Sequence, residues 1–208
     1  MSDTTFKTPT RVDALTRYLP LAGVGYAVLV FAGYSTIGEF PDGDTSPSGL
    51  VSFYASHHAG VGHGGRLLEW SAVALALFAV ALSSRARSAG VWAAVILVGG
   101  TMDAIASATS GATYTLLGDA STGKNLDPAA LQAWHLAGSE FGVGAGMLLM
   151  LLGVLMAAVT TRAFPLWLAA IGFVLGVAQL TAFGFFASLV FLLWCVVAGV
   201  VLAARPSP

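Results

Sequence analysis

Long apolar runs separated by short polar breaks dominate the chain. Apolar segments cover 19–37, 67–84, 91–111, 129–161, 165–183 and 185–203, each close to or above the ~20 residues with which a helix crosses a hydrocarbon core of ~30 Å. The pattern predicts an all-α fold, a six-transmembrane-helix bundle forming one membrane domain over 18–204, with polar tails at 1–17 and 205–208. The longest polar connection runs from 38 to 66 and carries Glu39, Asp42 and Asp44. Within it, Ser46-Pro47-Ser48 followed by Leu50, Val51, Phe53 and Tyr54 predicts a short amphipathic helix in the first outer loop, on the membrane surface or capping the bundle.

The fourth apolar stretch opens at Asp127-Pro128, an N-cap residue followed by a first-turn proline, and meets no further proline before Pro165. One long helix is expected from 127 to 162. Gly138, Gly142 and Gly146 recur at every fourth residue, the small-xxx-small stripe along which membrane helices approach closely. His135 falls on the same side, within about 60° of that stripe, whereas Glu140 points elsewhere. Such a helix is about 50 Å long, more than the hydrocarbon core, so His135 and Glu140 stand near or above the membrane boundary.

Composition agrees with this picture. Hydrophobic residues make up 57% and charged residues 9%, too few charges to cover a soluble domain, so the lipid bilayer is the first partner. The net charge of -1 and the lack of any basic cluster exclude a nucleic-acid partner. The lone Cys195 in an apolar run offers neither a disulfide framework nor a cysteine metal motif. Basic residues before the first apolar segment imitate a signal peptide, but the segment is long enough to span and no small-x-small site ends it. With six spans, Lys7, Arg11, Arg17, Arg85, Arg87, Arg162 and Arg205 fall on one side, and only Arg66 and Lys124 on the other. The positive-inside bias makes both termini cytoplasmic. The second half does not repeat the first, so an inverted-repeat transporter is not indicated.

On this topology the ionisable residues gather toward the outer leaflet, so any site opens outward. Asp103 lies about 18 Å above the inner end of its span, where a bare carboxylate is costly, and Ser107 and Ser110 follow it at helical spacing. It is read either as a proton, ion or ligand site or as a polar contact that locks helix packing. Arg66 and Glu69, three residues apart, are placed to pair on one helix face. His57, His58 and His63, with His135 and nearby carboxylates, are metal candidates of the imidazole–carboxylate kind that suits zinc, iron or copper. Their spacing matches no metalloprotease or zinc-finger pattern, and a bis-histidine haem is less supported, with only His135 on an expected bundle helix. No phosphate-binding loop is present, and Ser139 beside His135 lacks the setting of a nucleophile.

The stretches SPSGLVSFYASHHAG (46–60) and RLLEWSAVALALFAVALSSRAR (66–87), together with TRAFPLWLAAIGFVLGVAQL from Thr161 to Leu180, resemble a large group of small bacterial six-span membrane proteins of unknown function. There, a surface helix with a Tyr and a His precedes the second span, and Arg, Pro and Trp introduce the fifth. The resemblance implies a bacterial cytoplasmic membrane and six spans, and carries no activity across. Three functions are then compatible with the residues. The first is a non-enzymatic ligand-binding, sensing or transport-accessory bundle with an outward pocket around Asp103, Glu69, Arg66, His135, Glu140 and Ser107. The second is a metal-dependent membrane enzyme, which requires three of His57, His58, His63, His135, Glu69 and Glu140 to converge. The third is a subunit of a homo- or hetero-oligomer that docks through the glycine stripe or through the uncharged fifth and sixth helices.

Overall fold

The computed structural model describes residues 17–38, 41, 45–121, 127–140 and 144–205, with the backbone alone for 137–140. The N-terminal tail up to residue 16, Glu39, Asp42, Asp44, Lys124 and Gly142 lie outside these, as do the side chains of Ser139 and Glu140 and the surroundings of Gly138. Among the described residues there are seven α-helices and no strand: α1 (Ala22–Ile37), entered through a 3-10 turn at Leu19–Leu21; α2 (Pro47–Arg85); α3 (Val91–Ala120), reached through a 3-10 turn at Arg87–Ala89; α4 (Pro128–Glu140); α5 (Gly144–Thr161); α6 (Leu166–Ala178); and α7 (Gly184–Ala204). Five of them, α1 with its leading turn, α2, α3, α5 and α7, are long and apolar enough to cross a membrane. The sixth apolar element, α6, has 13 residues, a length of about 20 Å that falls short of the hydrocarbon core.

The largest departure from expectation is α2. In place of a loop, a short surface helix and a separate span, one helix of 39 residues runs through the whole region. Ser46 caps its start, its hydroxyl accepting from Gly49 N at 3.2 Å, with Pro47 in the first turn. Gly60, Gly62, Gly64 and Gly65 weaken an isolated helix by about 1 kcal/mol each, which makes them look like a connection. They are contact points instead. A Cβ placed on Gly65 would sit 2.5 Å from Thr115 N and 2.7 Å from Gly111 O of α3, and one on Gly118 of α3 would sit 2.5 Å from Gly62 N. On the neighbouring face, Gly60 meets Thr36 O of α1 and Gly64 meets Gly33 O. The four glycines let α2 lie in backbone contact with α1 on one side and α3 on the other, and that packing offsets their propensity cost.

The helix expected over 127–162 is described as two, α4 and α5, with 141–143 between them outside the described residues. Its predicted start holds: Asp127 Oδ1 accepts from Ala129 N at 3.0 Å. Against α3, α5 forms a second close seam, where a Cβ on Gly146 would lie 2.7 Å from Asp103 N and one on Gly153 would lie 2.9 Å from Ile96 N. Gly146 therefore packs within the chain, which removes it from any lipid-facing docking stripe. Likewise α3 continues helically to Ala120, past the expected end near 111.

Helix α2 sits at the centre, with α1 and α3 packed on it; α5 packs on α3, α6 on α5, and α7 closes on α1 and α6. Phe191 and Trp194 stack at 5.8 Å, Phe78 meets Trp194 edge-on at 6.1 Å, and Trp194 Nε1 donates to Leu168 O at 2.8 Å, fastening α6 to α7. Arg85 donates to the carbonyls of Leu202 and Arg205, both at 2.8 Å, which ties the end of α2 to the end of α7. One end of the bundle, the arginine end, thus gathers Arg17, Arg85, Arg87, Arg162 and Arg205. The opposite, histidine end holds His57, His58, His63 and His135. Val28, Phe31, Ile105, Val174, Leu193 and Val200 are exposed around the outside, and exposed aromatics cluster at both ends, Tyr18 and Trp167 at one and Phe183, Phe185 and Phe186 at the other. That distribution is the surface of a helical bundle in lipid.

Candidate functional site

Asp103, Ser107, Ser110 and Tyr114 share one face of α3 at helical spacing. The Asp103 side chain is 1% exposed, and neither carboxyl oxygen has a hydrogen-bond partner among the described residues. Around it, α5 closes at Gly146, α1 contributes Tyr26 and α7 contributes Cys195, the last two within electrostatic reach of the carboxyl. About one turn before Asp103, Ala79 of α2 and Met150 of α5 are set against Gly100 of α3. A bare carboxylate in such surroundings costs several kcal/mol, so the group needs a compensating proton or cation.

From Asp103 a row of hydroxyls leads toward the histidine end. Although α1 and α3 both pack on α2, Tyr26 bridges them with a hydrogen bond to Ser107. Tyr26 lies within electrostatic reach of Tyr34, Tyr34 within reach of Tyr114, and Tyr114 within reach of Tyr54. Tyr54 Oη and His135 Nδ1 share a buried hydrogen bond of 2.7 Å that joins α2 to α4. His135 is 6% exposed, and burial pushes its imidazole below the usual value, consistent with a neutral ring that keeps one nitrogen as an acceptor. Tyr34 is exposed, at 45%, so the row reaches the surface of the bundle at α1. Toward the arginine end the interior is apolar instead: Leu82, Ile96, Met150 and Val154 are fully buried there, with Phe78 and Trp194 alongside.

The remaining predicted residues are arranged otherwise. Arg66 does not pair with Glu69; it meets Asp119 of α3 at 3.7 Å, with both side chains largely exposed. Glu69 accepts from the Thr115 hydroxyl at 2.7 Å. The two pairings follow from the close α2–α3 seam, which brings α3 side chains nearer than the neighbouring turn of α2. His57 stacks on Phe53 at 4.6 Å, and His57 and His58 each hold a local contact between ring nitrogen and backbone carbonyl, at 3.0 and 3.1 Å. His57, His58 and His63 are exposed, while His135 is buried against Tyr54. Among the described residues, no three His, Cys, Asp or Glu side chains are grouped to hold a metal ion.

Two cavities among the described residues bear on the site. One, of about 420 Å³, lies at the arginine end; the other, of about 400 Å³, is an apolar groove between α1 and α7 lined by Val28, Phe31 and Leu193 among others. Neither is lined by Asp103, Glu69 or His135, so these groups do not form the wall of either cavity. The sequence reading named Asp103, Ser107 and His135 but passed over Tyr26, Tyr34 and Tyr114. The available signal was spacing, because Tyr114 continues the Asp103–Ser107–Ser110 face of α3.

No protein family matches this chain, and neither do any curated protein or solved structure.

Proposed function

We propose that this multi-pass membrane protein is a proton-responsive bundle, a non-enzymatic sensor or transport accessory in which Asp103 takes up a proton from the histidine end. The observation that carries the reading is the Asp103 carboxyl, buried with neither oxygen partnered among the described residues, on the α3 face that continues through Ser107, Ser110 and Tyr114. A proton suits the site better than a metal cation. A hard cation asks for about six oxygen ligands, whereas the neighbours of this carboxyl are Tyr26, Ser107, Cys195 and apolar groups. We assign the arginine end to the cytoplasmic side on the positive-inside bias. Both termini are then inside and the histidine end outside. The sixth crossing is made by α6 extended by the turn after it, where Leu180 and Phe183 are exposed. With the resemblance noted above, the membrane is a bacterial cytoplasmic one.

The test is proton uptake by detergent-purified protein, followed with an indicator dye as the pH is stepped down from an alkaline start at which the carboxyl has lost its proton. Wild type is expected to take up a proton that Asp103→Asn does not, and Tyr26→Phe to slow the uptake without changing its extent. Equal uptake by wild type and Asp103→Asn would overturn the proposal.

A further inference from the structure

The cavity of about 420 Å³ at the arginine end is lined by Ala158, Val159, Arg162, Phe164, Leu166 and Arg205. It collects the end of α5, the turn into α6 and the end of α7. At Arg162 the backbone is left-handed, with φ of 56°, which stops α5 and swings the chain toward Pro165. Both arginine side chains are exposed, and among the described residues no carboxylate lines the cavity. Leu166 begins α6, whose start carries no side-chain cap, so its first free backbone N–H groups add to the positive field of the two guanidiniums. The rest of the wall is apolar and leads out through exposed Val159 and Leu166 to the lipid-facing surface. A ligand matched to this cavity carries a phosphate at one end and a hydrocarbon chain at the other.

We infer that this cavity binds the phosphodiester headgroup of an anionic phospholipid, with Arg162 and Arg205 on the phosphate and the first acyl carbons along Val159, Phe164 and Leu166. Guanidinium groups suit phosphate oxygens because their paired N–H donors match them two at a time. The inference rests on the membrane reading of the chain and is independent of Asp103. The site is part of the bundle itself: Arg85 holds the carbonyl of Arg205, so an occupied cavity brackets the ends of α2, α5 and α7.

The experiment is native mass spectrometry of the full chain in detergent, titrated with phosphatidylglycerol, with phosphatidylcholine and with inorganic phosphate as competitor. Phosphatidylglycerol is expected to be retained in preference to phosphatidylcholine. The double variant Arg162→Gln/Arg205→Gln is expected to bind it roughly 30-fold more weakly, the effect of two interfacial charges. Arg162→Lys/Arg205→Lys, which keeps the charge but not the paired donors, is expected to bind between wild type and the Gln double variant and separates ligand loss from misfolding. Arg87→Gln, outside the cavity, binds as wild type. Equal retention of the two lipids, or unchanged binding by the Gln double variant, would overturn the inference. So would displacement of phosphatidylglycerol by an equal concentration of inorganic phosphate, which would make the cavity a free-anion site.

Discussion

On the histidine side of Asp103, α1, α2 and α3 carry hydroxyls from Tyr26 to Tyr54, and the row ends on an imidazole. On the arginine side the same helices meet through Leu82 and Ile96, with Met150 and Val154 from α5, and the polar groups there, Ser83 and Arg85, turn to the backbone carbonyls of Ala93, Leu202 and Arg205. Backbone spacing does not cause the difference, since glycines hold α3 tightly against α2 in the first half and against α5 in the second. What differs is the side chains left to fill the interior. Close glycine contact provides rigidity in both halves, and the choice of tyrosine or aliphatic filler decides from which side a buried carboxyl is approached.

The comparison can be broken from either half. Phe78→Ala removes a fully buried ring beside Trp194 and is expected to cost about 4 kcal/mol, read as a lower unfolding temperature in detergent. In the other half, Gly65→Leu drives a side chain into Thr115 N and Gly111 O and is expected to cost about 3 kcal/mol. Gly25→Ala has only Ala74 Cβ at 3.9 Å before it, so its unfolding temperature should stay near that of wild type.

Tyr54→Phe leaves His135 Nδ1 without its partner, at an expected cost of about 1–2 kcal/mol. The same histidine sets a pH dependence. Its folded value lies below the ordinary 6.5, so the unfolded chain binds the extra proton first. The contribution of His135 is therefore full above about pH 6.5 and is lost as pH falls below it. Unfolding of wild type and His135→Gln measured across that range should show the loss in wild type only. A small effect also belongs to Arg66→Ala, because its partner Asp119 is 3.7 Å away and both groups are solvated; a change under about 0.5 kcal/mol is expected.

Much of this architecture was legible in the sequence. Apolar length marked the first and last spans, Leu19–Ile37 and Gly184–Ala204, and the caps at Ser46 and Asp127 stand where residue type placed them. Asp103 stood out because a carboxyl in an apolar run has few bland explanations. The glycines of the 60–65 stretch misled for a physical reason: in isolation they weaken a helix, and only the neighbouring α1 and α3 backbones turn them into packing positions. The partners of Arg66 and Glu69 were hidden similarly, since local spacing offers each to the other while the register between α2 and α3 supplies Asp119 and Thr115. The tyrosine row spans three helices, and no single-helix pattern contains it.

The most direct test of one-sided access is the carboxyl stretching band of Asp103 in protein reconstituted with uniform orientation in sealed vesicles. The band is identified by its absence in Asp103→Asn, and pH is stepped on one side of the membrane at a time. The account predicts a response when the step is made on the histidine side and none when it is made on the arginine side. A response of equal size from the arginine side, or a band indifferent to both, would contradict it.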